Sequence, residues 1–527
     1  MWGTNAREAH PIFFHHILKG IRNGAKMISV DPRRSQTAKF ADLWLGLNVG
    51  TDIALAHGVG KYIVDNDLHN KAFIEHSTQG FDAYVESIQE WTLARTAEVT
   101  GLPEYAIAEL AETYATAESA QLCWTLGITE HHTGADNVMA LCNLSLLTGH
   151  VGRYGSGLVP VRGQNNVQGG GDMGALPNKL TGFQDVANDE LRAKFEAAWD
   201  CTIPATPGKH LTLMFDAIDK GQLTTVFCIG ENPADSEADI DHARALLKSL
   251  DLLVVQDIFL TRTAELADVV LPASAGWAET DGTVTNSERR VQIMRKALDP
   301  PGEAKDDLEI INMIADRMSP GWGNPSPEEI WEELRTVSPM HGGMSYARLE
   351  AEGGLRWPCP TEDHPGAQFL HGWLWADDLE GRDPAPFTTP EWRPPIDEVN
   401  DEYPLLMTTG RVLDSYNTGV QSDGYNSPIR SGEELDMAPA DAERLGLVSG
   451  SRVEVSSRRA TIDMTIRVQP DNPEGLCFTT YHFADTTDTN RLTIEAWDKK
   501  SGTAEFKATA IRVTPKESSR AKENVSA

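Results

Sequence analysis

The sequence predicts an α/β protein: two pseudo-repeated doubly wound α/β domains followed by a C-terminal β-barrel domain. Three observations carry this. A Gly-Asn turn, a strand ending in Asp and a Thr-Ala-x-x-Ala-Asp segment occur twice, from Gly3 and again from Gly230. From residue 404 the hydrophobic period changes to two. Between the repeats lies a stretch, Val161 to Asn178, with Gly163, Gly169, Gly170, Gly171 and Gly174, too glycine-dense for a helix or a strand.

The totals bound the rest. The chain has 527 residues, 40% hydrophobic and 24% charged, enough for several domains and a large core. A net charge of −32 repels phosphates and argues against a nucleic-acid partner. It suits a soluble protein or one that docks basic partners. No apolar run approaches the ~18 residues of a membrane helix, and the start carries no signal-peptide pattern. Six scattered cysteines without C-x-x-C spacing give no structural zinc or iron–sulfur site from this chain alone. A cytoplasmic location follows from that cysteine usage.

In chain order, residues 12–23 form a helix capped by Gly24, and Met27 to Val30 form a buried strand stopped at Asp31-Pro32. Only Met1 and Trp2 precede the Gly3-Thr4-Asn5 turn. A crossover helix needs a parallel strand on both sides, so the first sheet is expected to have an open edge and the polypeptide to be truncated or split. Residues 103–117 form an amphipathic helix with Ile107, Leu110, Ala111 and Tyr114 on one face. A strand runs from Leu122 toward Thr129, and a second long helix covers 135–148.

In the repeat, Gly3 pairs with Gly230 and Asn5 with Asn232 at an offset of 227 residues. Asp31 pairs with Asp257, Thr37-Ala38 with Thr263-Ala264, and Ala41-Asp42 with Ala267-Asp268, at an offset of 226. Chance spacing of two β-α-β units is the plain alternative. Matched residue types favour two similar ligands beyond the carboxyl ends of two sheets. Beyond 345 a proline-rich connection over 346–400 is expected to drape over the surface. Alternation in Val453 to Ser456 and Thr461 to Ile466 predicts a barrel over 401–513, with a disordered tail from 514. The α/β domains are placed at 1–164 and 165–345.

The central stretch supplies one permanent cation, Arg162, and the amides Gln164, Asn165, Asn166 and Gln168. A guanidinium fork matches a carboxylate at two points. A plain glycine-rich surface loop is the alternative.

At Val161-Arg162-Gly163-Gln164-Asn165-Asn166-Val167-Gln168-Gly169 and Asp172-Met173-Gly174-Ala175-Leu176-Pro177 the chain resembles the catalytic subunit of molybdenum- or tungsten-dependent formate dehydrogenases, in the dimethyl sulfoxide reductase family. Gly230-Glu231-Asn232-Pro233, Gln256-Asp257-Ile258-Phe259, Leu271-Pro272-Ala273, the run from Glu279 to Arg290 and Thr409-Gly410-Arg411 carry the same resemblance, over nearly the whole chain. It implies a double-psi type barrel and two molybdopterin guanine dinucleotides. Carried over by position, Asn5, Asp31, Arg33, Thr51, Asp52, Gly127 and Glu130 would serve one dinucleotide, and Gly230, Asn232, Gln256, Asp257, Ser274 and Asp307 the other. Gln164 of the loop, and Arg411, Asn490 and Lys507 of the C-terminal domain, would join them. Arg162 would hold formate as it is oxidised to carbon dioxide, or formed in reverse, with the hydrogen leaving as a hydride equivalent to the metal's sulfido ligand.

The resemblance also implies partners. Electrons would pass through the pterin to a 4Fe-4S cluster in a missing N-terminal region or a separate iron–sulfur polypeptide, and on to an electron-transfer subunit. The family's cysteine or selenocysteine metal ligand would lie upstream as well, and no residue of this chain is assigned to the metal. His15, His16, His131 and His132 read as structural. Asn417 and Ala504 stand where relatives often carry His and Pro. The competing readings are another molybdopterin oxidoreductase and a non-catalytic remnant that binds nucleotide or a partner.

Overall fold

The computed structural model describes residues 1–276, 279–415, 417–419 and 432–516. The chain divides into two compact units: Met1–Val161 with Pro233–Ala245 and His371–Ala527, and Arg162–Asn232 with Leu246–Leu370.

In the first unit β1 (Ile28–Val30) pairs in parallel with β2 (Leu43–Leu45), and β3 (Gln121–Trp124) with β4 (Gly157–Pro160). Trp2 bridges Val30 on one side and Trp124 on the other, both in parallel. Its N–H donates to Cys123 O at 2.8 Å, and Val30 N–H donates to Met1 O at 2.8 Å. The open sheet edge expected at the first turn is therefore absent. Two extended residues satisfy the groups on both neighbours, and the Trp2 side chain is buried between them.

The expected helices form at Pro11–Arg22, Glu104–Thr116 and Gly134–Thr148. A further helix, Asp52–Asp65, is buried almost all round. Its glycines have a packing reason: a Cβ on Gly58 would meet Thr96 Oγ1 at 2.2 Å, and one on Gly60 would meet Tyr84 Oη at 2.1 Å. The strand expected to run on to Thr129 stops at Trp124, and Leu126–Thr129 is a helical turn. Gly127 packs there on the backbone of Gly3.

The barrel also belongs to the first unit. Its strands are β8 (Leu405–Thr409), β9 (Glu434–Met437), β10 (Arg452–Ser456), β11 (Thr461–Val468), β12 (Leu476–Thr479) and β13 (Thr509–Pro515), closed in the order β8-β12-β9-β11-β10-β13. β8 with β12 and β9 with β11 are parallel; the other pairings are antiparallel. The period-two alternation is realised: Val453 and Val455 are buried while Arg452 and Glu454 are exposed. Thr514 and Pro515, expected in a disordered tail, pair with Glu454 and Val453; the tail from 517 lies outside the described residues.

In the second unit β5 (Thr225–Ile229), β6 (Leu252–Asp257) and β7 (Val269–Pro272) form a parallel sheet in the order β7-β6-β5. A separate cluster gathers Val291, Trp331, Met344, Tyr346, Leu349, Leu355, Trp357 and Cys359. The proline-rich stretch is thus not simply draped over the surface. Its first part supplies buried apolar side chains to this unit, and Leu374 and Phe387 supply the core of the first.

Candidate functional site

The repeated turn is built by the same bonds in each half. In the first, Asn5 Oδ1 accepts from Thr37 N–H at 3.2 Å and from Thr37 Oγ1 at 2.9 Å. In the second, Asn232 Oδ1 accepts from Thr263 N–H at 3.2 Å and from Thr263 Oγ1 at 2.7 Å. Gly3 N–H donates to Val30 O at 2.9 Å, and Gly230 N–H to Gln256 O at 2.9 Å. Both glycines have positive φ, +59° and +64°, where a side chain is strained. Asp31 Oδ1 accepts from Arg33 N–H at 2.9 Å, and Asp257 Oδ1 from Phe259 N–H at 3.0 Å. Each half thereby places a tight turn and a carboxylate at a strand's carboxyl end, the chemistry that holds a pyrophosphate or reads a nucleobase edge.

In the first unit this turn is surrounded by charge. Burial pushes the Asp31 carboxyl up, and the Arg33 guanidinium and the Lys507 ammonium counter it. Arg33 lies over the Phe478 ring, with Cζ 3.3 Å from its centroid. Asp52 opens its helix beside Thr51, and its Oδ1 accepts from the Trp2 indole at 2.8 Å; burial raises its carboxyl too. Gly127 N–H donates to Gly3 O at 3.1 Å. Lys507 Nζ pairs with Glu130 Oε2 at 2.6 Å and donates to Thr409 O at 3.2 Å. Asn490 Nδ2 donates to Asp235 O at 3.2 Å, and its buried Oδ1 has no hydrogen-bond partner. Arg411 Nε donates to Ser415 O at 3.3 Å.

In the second unit Gln256 Nε2 donates to Asp307 Oδ1 at 2.6 Å. Gln256 Oε1 and Ser274 Oγ are buried without hydrogen-bond partners. Burial raises the Asp257 carboxyl, and the Asp307 charge adds to that.

Arg162 and Gln164 are exposed. The stretch expected to be neither helix nor strand forms one short helix, Val167–Asp172. Asn166, at φ +59°, starts it and accepts Thr285 N–H at 2.8 Å through Oδ1. Gln168 Nε2 reaches Asp172 Oδ1 at 2.8 Å one turn on. A Cβ on Gly169 would sit 2.0 Å from Asn166 Oδ1, so the glycine admits the amide that anchors the turn. The tertiary bond to Thr285 and the local Gln168–Asp172 bond together override the poor helix propensity of three successive glycines.

The structure adds a contact that the sequence did not foresee, between Glu505 and the histidines read as structural. His131 Nδ1 lies 3.4 Å from Glu505 Oε2, and the Asp52 charge also acts on the ring. Burial works against its charged form, but the two carboxylates outweigh burial and raise its pKa. Glu505 takes the His132 N–H at 2.9 Å. Burial opposes its ionisation, yet His131 and His132 hold its carboxyl well below the usual range. Thr37 and Thr263 were visible as part of the repeat. Nothing local marks Glu505, because its partners are more than 370 residues away. Among the described residues Asp239, His242 and Glu495 are the one grouping with atoms arranged as for a metal ion, partly exposed and of a kind common without one.

Buried side-chain oxygens without partners, two tight glycine turns and carboxylates at two strand ends fit two nucleotide-bearing groups. Comparison with known proteins agrees. Residues 1–317 match the family description Molybdopterin oxidoreductase, and 405–510 match Molydopterin dinucleotide binding domain. The chain belongs to the molybdopterin oxidoreductase family. Within it, the chain is 41% identical over 520 residues to F420-dependent formate dehydrogenase 2 subunit alpha of Methanococcus maripaludis, covering 97% of this chain and 75% of that protein. It is 34% identical over 528 residues to formate dehydrogenase H of Escherichia coli, covering 99% and 73%. Among solved structures, acetylene hydratase from Pelobacter acetylenicus shares the fold, with a TM-score of 0.72 at 21% identity, covering 98% of this chain and 77% of that one.

Proposed function

We propose that the chain is the molybdopterin-bearing part of a formate dehydrogenase, oxidising formate to carbon dioxide or running the reverse. The observation that carries this is the duplicated nucleotide turn, in a chain that also holds the Arg162 loop and is similar to formate dehydrogenase alpha subunits. Asn5, Asp31, Arg33, Thr51, Asp52, Gly127 and Glu130 would hold one molybdopterin guanine dinucleotide, and Gly230, Asn232, Gln256, Asp257, Ser274 and Asp307 the other. Gln164, Arg411, Asn490 and Lys507 would complete the binding surface. The bound group supplies the molybdenum or tungsten redox centre.

The chain's own contribution to turnover is positional. Arg162 presents two parallel donors to a carboxylate and fixes which end of formate faces the reacting centre. The amides around it offer donors and acceptors without adding a competing charge. The electrons pass to an iron–sulfur partner and then an electron-transfer subunit; the relatives' dehydrogenase activity supports that reading. Among the described residues no helix is long and apolar enough to cross a membrane, and a cytoplasmic site of action is part of the same proposal.

The test is Arg162→Ala and Arg162→Lys in enzyme produced with its partners. Both variants are expected to lose formate-dependent dye reduction by about 100-fold or more, with metal content unchanged. Near-normal turnover in the alanine variant refutes the assignment.

A further inference from the structure

β5, β6 and β7 form a parallel sheet, and parallel sheets are ordinarily covered on both faces. This one is not. Residues in register across neighbouring strands share a face. Phe227, Val254 and Val269 therefore form one row, Thr225 and Leu252 the row before it, and Ile229, Gln256 and Leu271 the row after. Phe227, Ile229, Leu252 and Val269 are 38–42% exposed, and Val254 and Leu271 are half-buried. On the opposite face Cys228, Leu253 and Val255 are buried. The exposed face holds no charged side chain.

The duplication shows what such a face carries when it is complete. At the repeat's offsets, Trp2 corresponds to Ile229, Ile28 to Val254, Leu43 to Val269 and Leu45 to Leu271. In the first half Trp2 and Leu45 are buried in one apolar cluster with Ile53 and Leu55 of the Asp52–Asp65 helix and Leu141 and Leu144 of the Gly134–Thr148 helix. Ile28 and Leu43 pack against that cluster. The first sheet also continues past Trp2 into β3. Among the described residues β5 pairs only with β6. The second half thus lacks two things that its copy has: a strand beyond β5 and helices over the Phe227 face.

We propose that this face is a permanent docking surface for a polypeptide segment from outside these 527 residues, which adds a strand beside β5 and lays helices over Phe227, Ile229, Leu252 and Val269. The occupant is the counterpart of the relatives' unmatched segment. The chain covers 75% and 73% of two formate dehydrogenase relatives, so about a quarter of each has no equivalent in it. A charge-free apolar face is what obligate interfaces bury, and left wet it invites aggregation. A second copy of this chain would set a net charge of −32 against −32. The inference rests on the duplicated fold and not on formate as substrate.

The experiment is hydroxyl-radical footprinting, read residue by residue by mass spectrometry, which needs no turnover. It compares the 527-residue chain made alone with the protein isolated, in its assembly, from the cells that make it. Oxidation of Phe227, Ile229, Leu252 and Val269 is expected to slow about fivefold or more in the assembly, as at the water-excluded core of an interface. Tyr105 and Tyr154, 73% and 82% exposed in the first unit, should oxidise equally in both samples. A photo-reactive side chain, Phe227→p-benzoylphenylalanine, then names the cover. A cross-link to the counterpart of the relatives' unmatched segment supports the proposal. A cross-link to a second copy, or to a protein with no such counterpart, overturns it. If the chain alone is insoluble, the assembly decides by itself: Phe227 oxidised there as fast as Tyr105 and Tyr154 also overturns it. A protected face in a protein that does not turn over formate would refute the dehydrogenase reading and leave the docking surface standing.

Discussion

Asn5 and Asn232 accept the same pair of hydrogen bonds from Thr37 and Thr263, yet the sheets beside them are covered differently. In the first half Trp2, Val30, Leu45 and Trp124 are all at most 6% exposed. In the second, Phe227, Ile229, Val269 and Val270 are 38–42% exposed. The acids differ as well. Asp31 has Arg33 and Lys507 to offset its burial, whereas the influences on Asp257 are burial, backbone donors and the like charge of Asp307. The bonds inside the repeat set the shape of the turn. The surroundings set its electrostatics and its sensitivity to change.

The largest expected difference between the halves is at their glycines. A Cβ on Gly127 would lie 2.5 Å from the carbonyl oxygen of Gly3, inside a buried backbone contact. Gly230 has open space where its Cβ would go. Gly127→Ala should therefore cost about 3 kcal/mol or more of stability, and Gly230→Ala only the left-handed backbone strain of about 1–2 kcal/mol. Denaturant midpoints measure both. Equal losses would mean that the two turns are equally enclosed in solution.

Next in size are the shared asparagines. Asn5→Ala and Asn232→Ala each strand a Thr hydroxyl and a backbone N–H, at about 1–3 kcal/mol apiece. If the halves are true structural copies, the two losses should agree to within about 0.5 kcal/mol; a larger gap breaks the equivalence. Asp52→Ala and Asp307→Ala extend the comparison to the ligands. Each should weaken retention of guanine dinucleotide by about 1–3 kcal/mol. Nucleotide released on extended dialysis is the measurement, and full retention in both variants removes these two contacts.

Much of this duplication was legible because it rests on short-range grammar. Gly with positive φ, Asn two residues on, Asp at a strand end and Thr-Ala near the start of the next turn each leave a mark in the sequence. The barrel was legible for a similar reason, since alternation survives in Val453 to Ser456 whatever they pack against. Three other features were not. Trp2 forms a strand's worth of bonds from two residues, too few for any periodic signal. The helical turn Val167–Asp172 runs through three glycines because Asn166 ties its start to Thr285, and that depends on distant segments meeting. The His131–Glu505 pair is illegible for the same reason, although it shapes the charge of the first half.

That pair gives the smallest expected effect, and one confined to the first half. His131 has its pKa raised above the ordinary 6.5, so its stabilisation is fully present below pH 6.5 and is lost as pH rises through the folded value. Glu505 has its pKa lowered below 4.5, so its stabilisation is present above pH 4.5 and is lost as pH falls through the folded value. Between pH 4.5 and 6.5 both contributions hold, and the pair should be worth most there. Asp31 and Asp52, raised by burial, also lose stabilisation as pH rises, so the total curve mixes several groups. The difference between wild type and His131→Gln isolates the histidine. It should be largest, a few degrees in Tm, below pH 6.5 and should shrink on the alkaline side. His341 of the second unit, pushed down to about 4 by burial, has the opposite sign: its folded form is favoured neutral and it destabilises only as acid charges it in the unfolded chain. His341→Gln should therefore alter only the acid limb. A His131→Gln difference that is constant from pH 5 to 9 would show that the ring acts by packing alone, and the charged wall of the first half would then have to be assigned to Arg33 and Lys507.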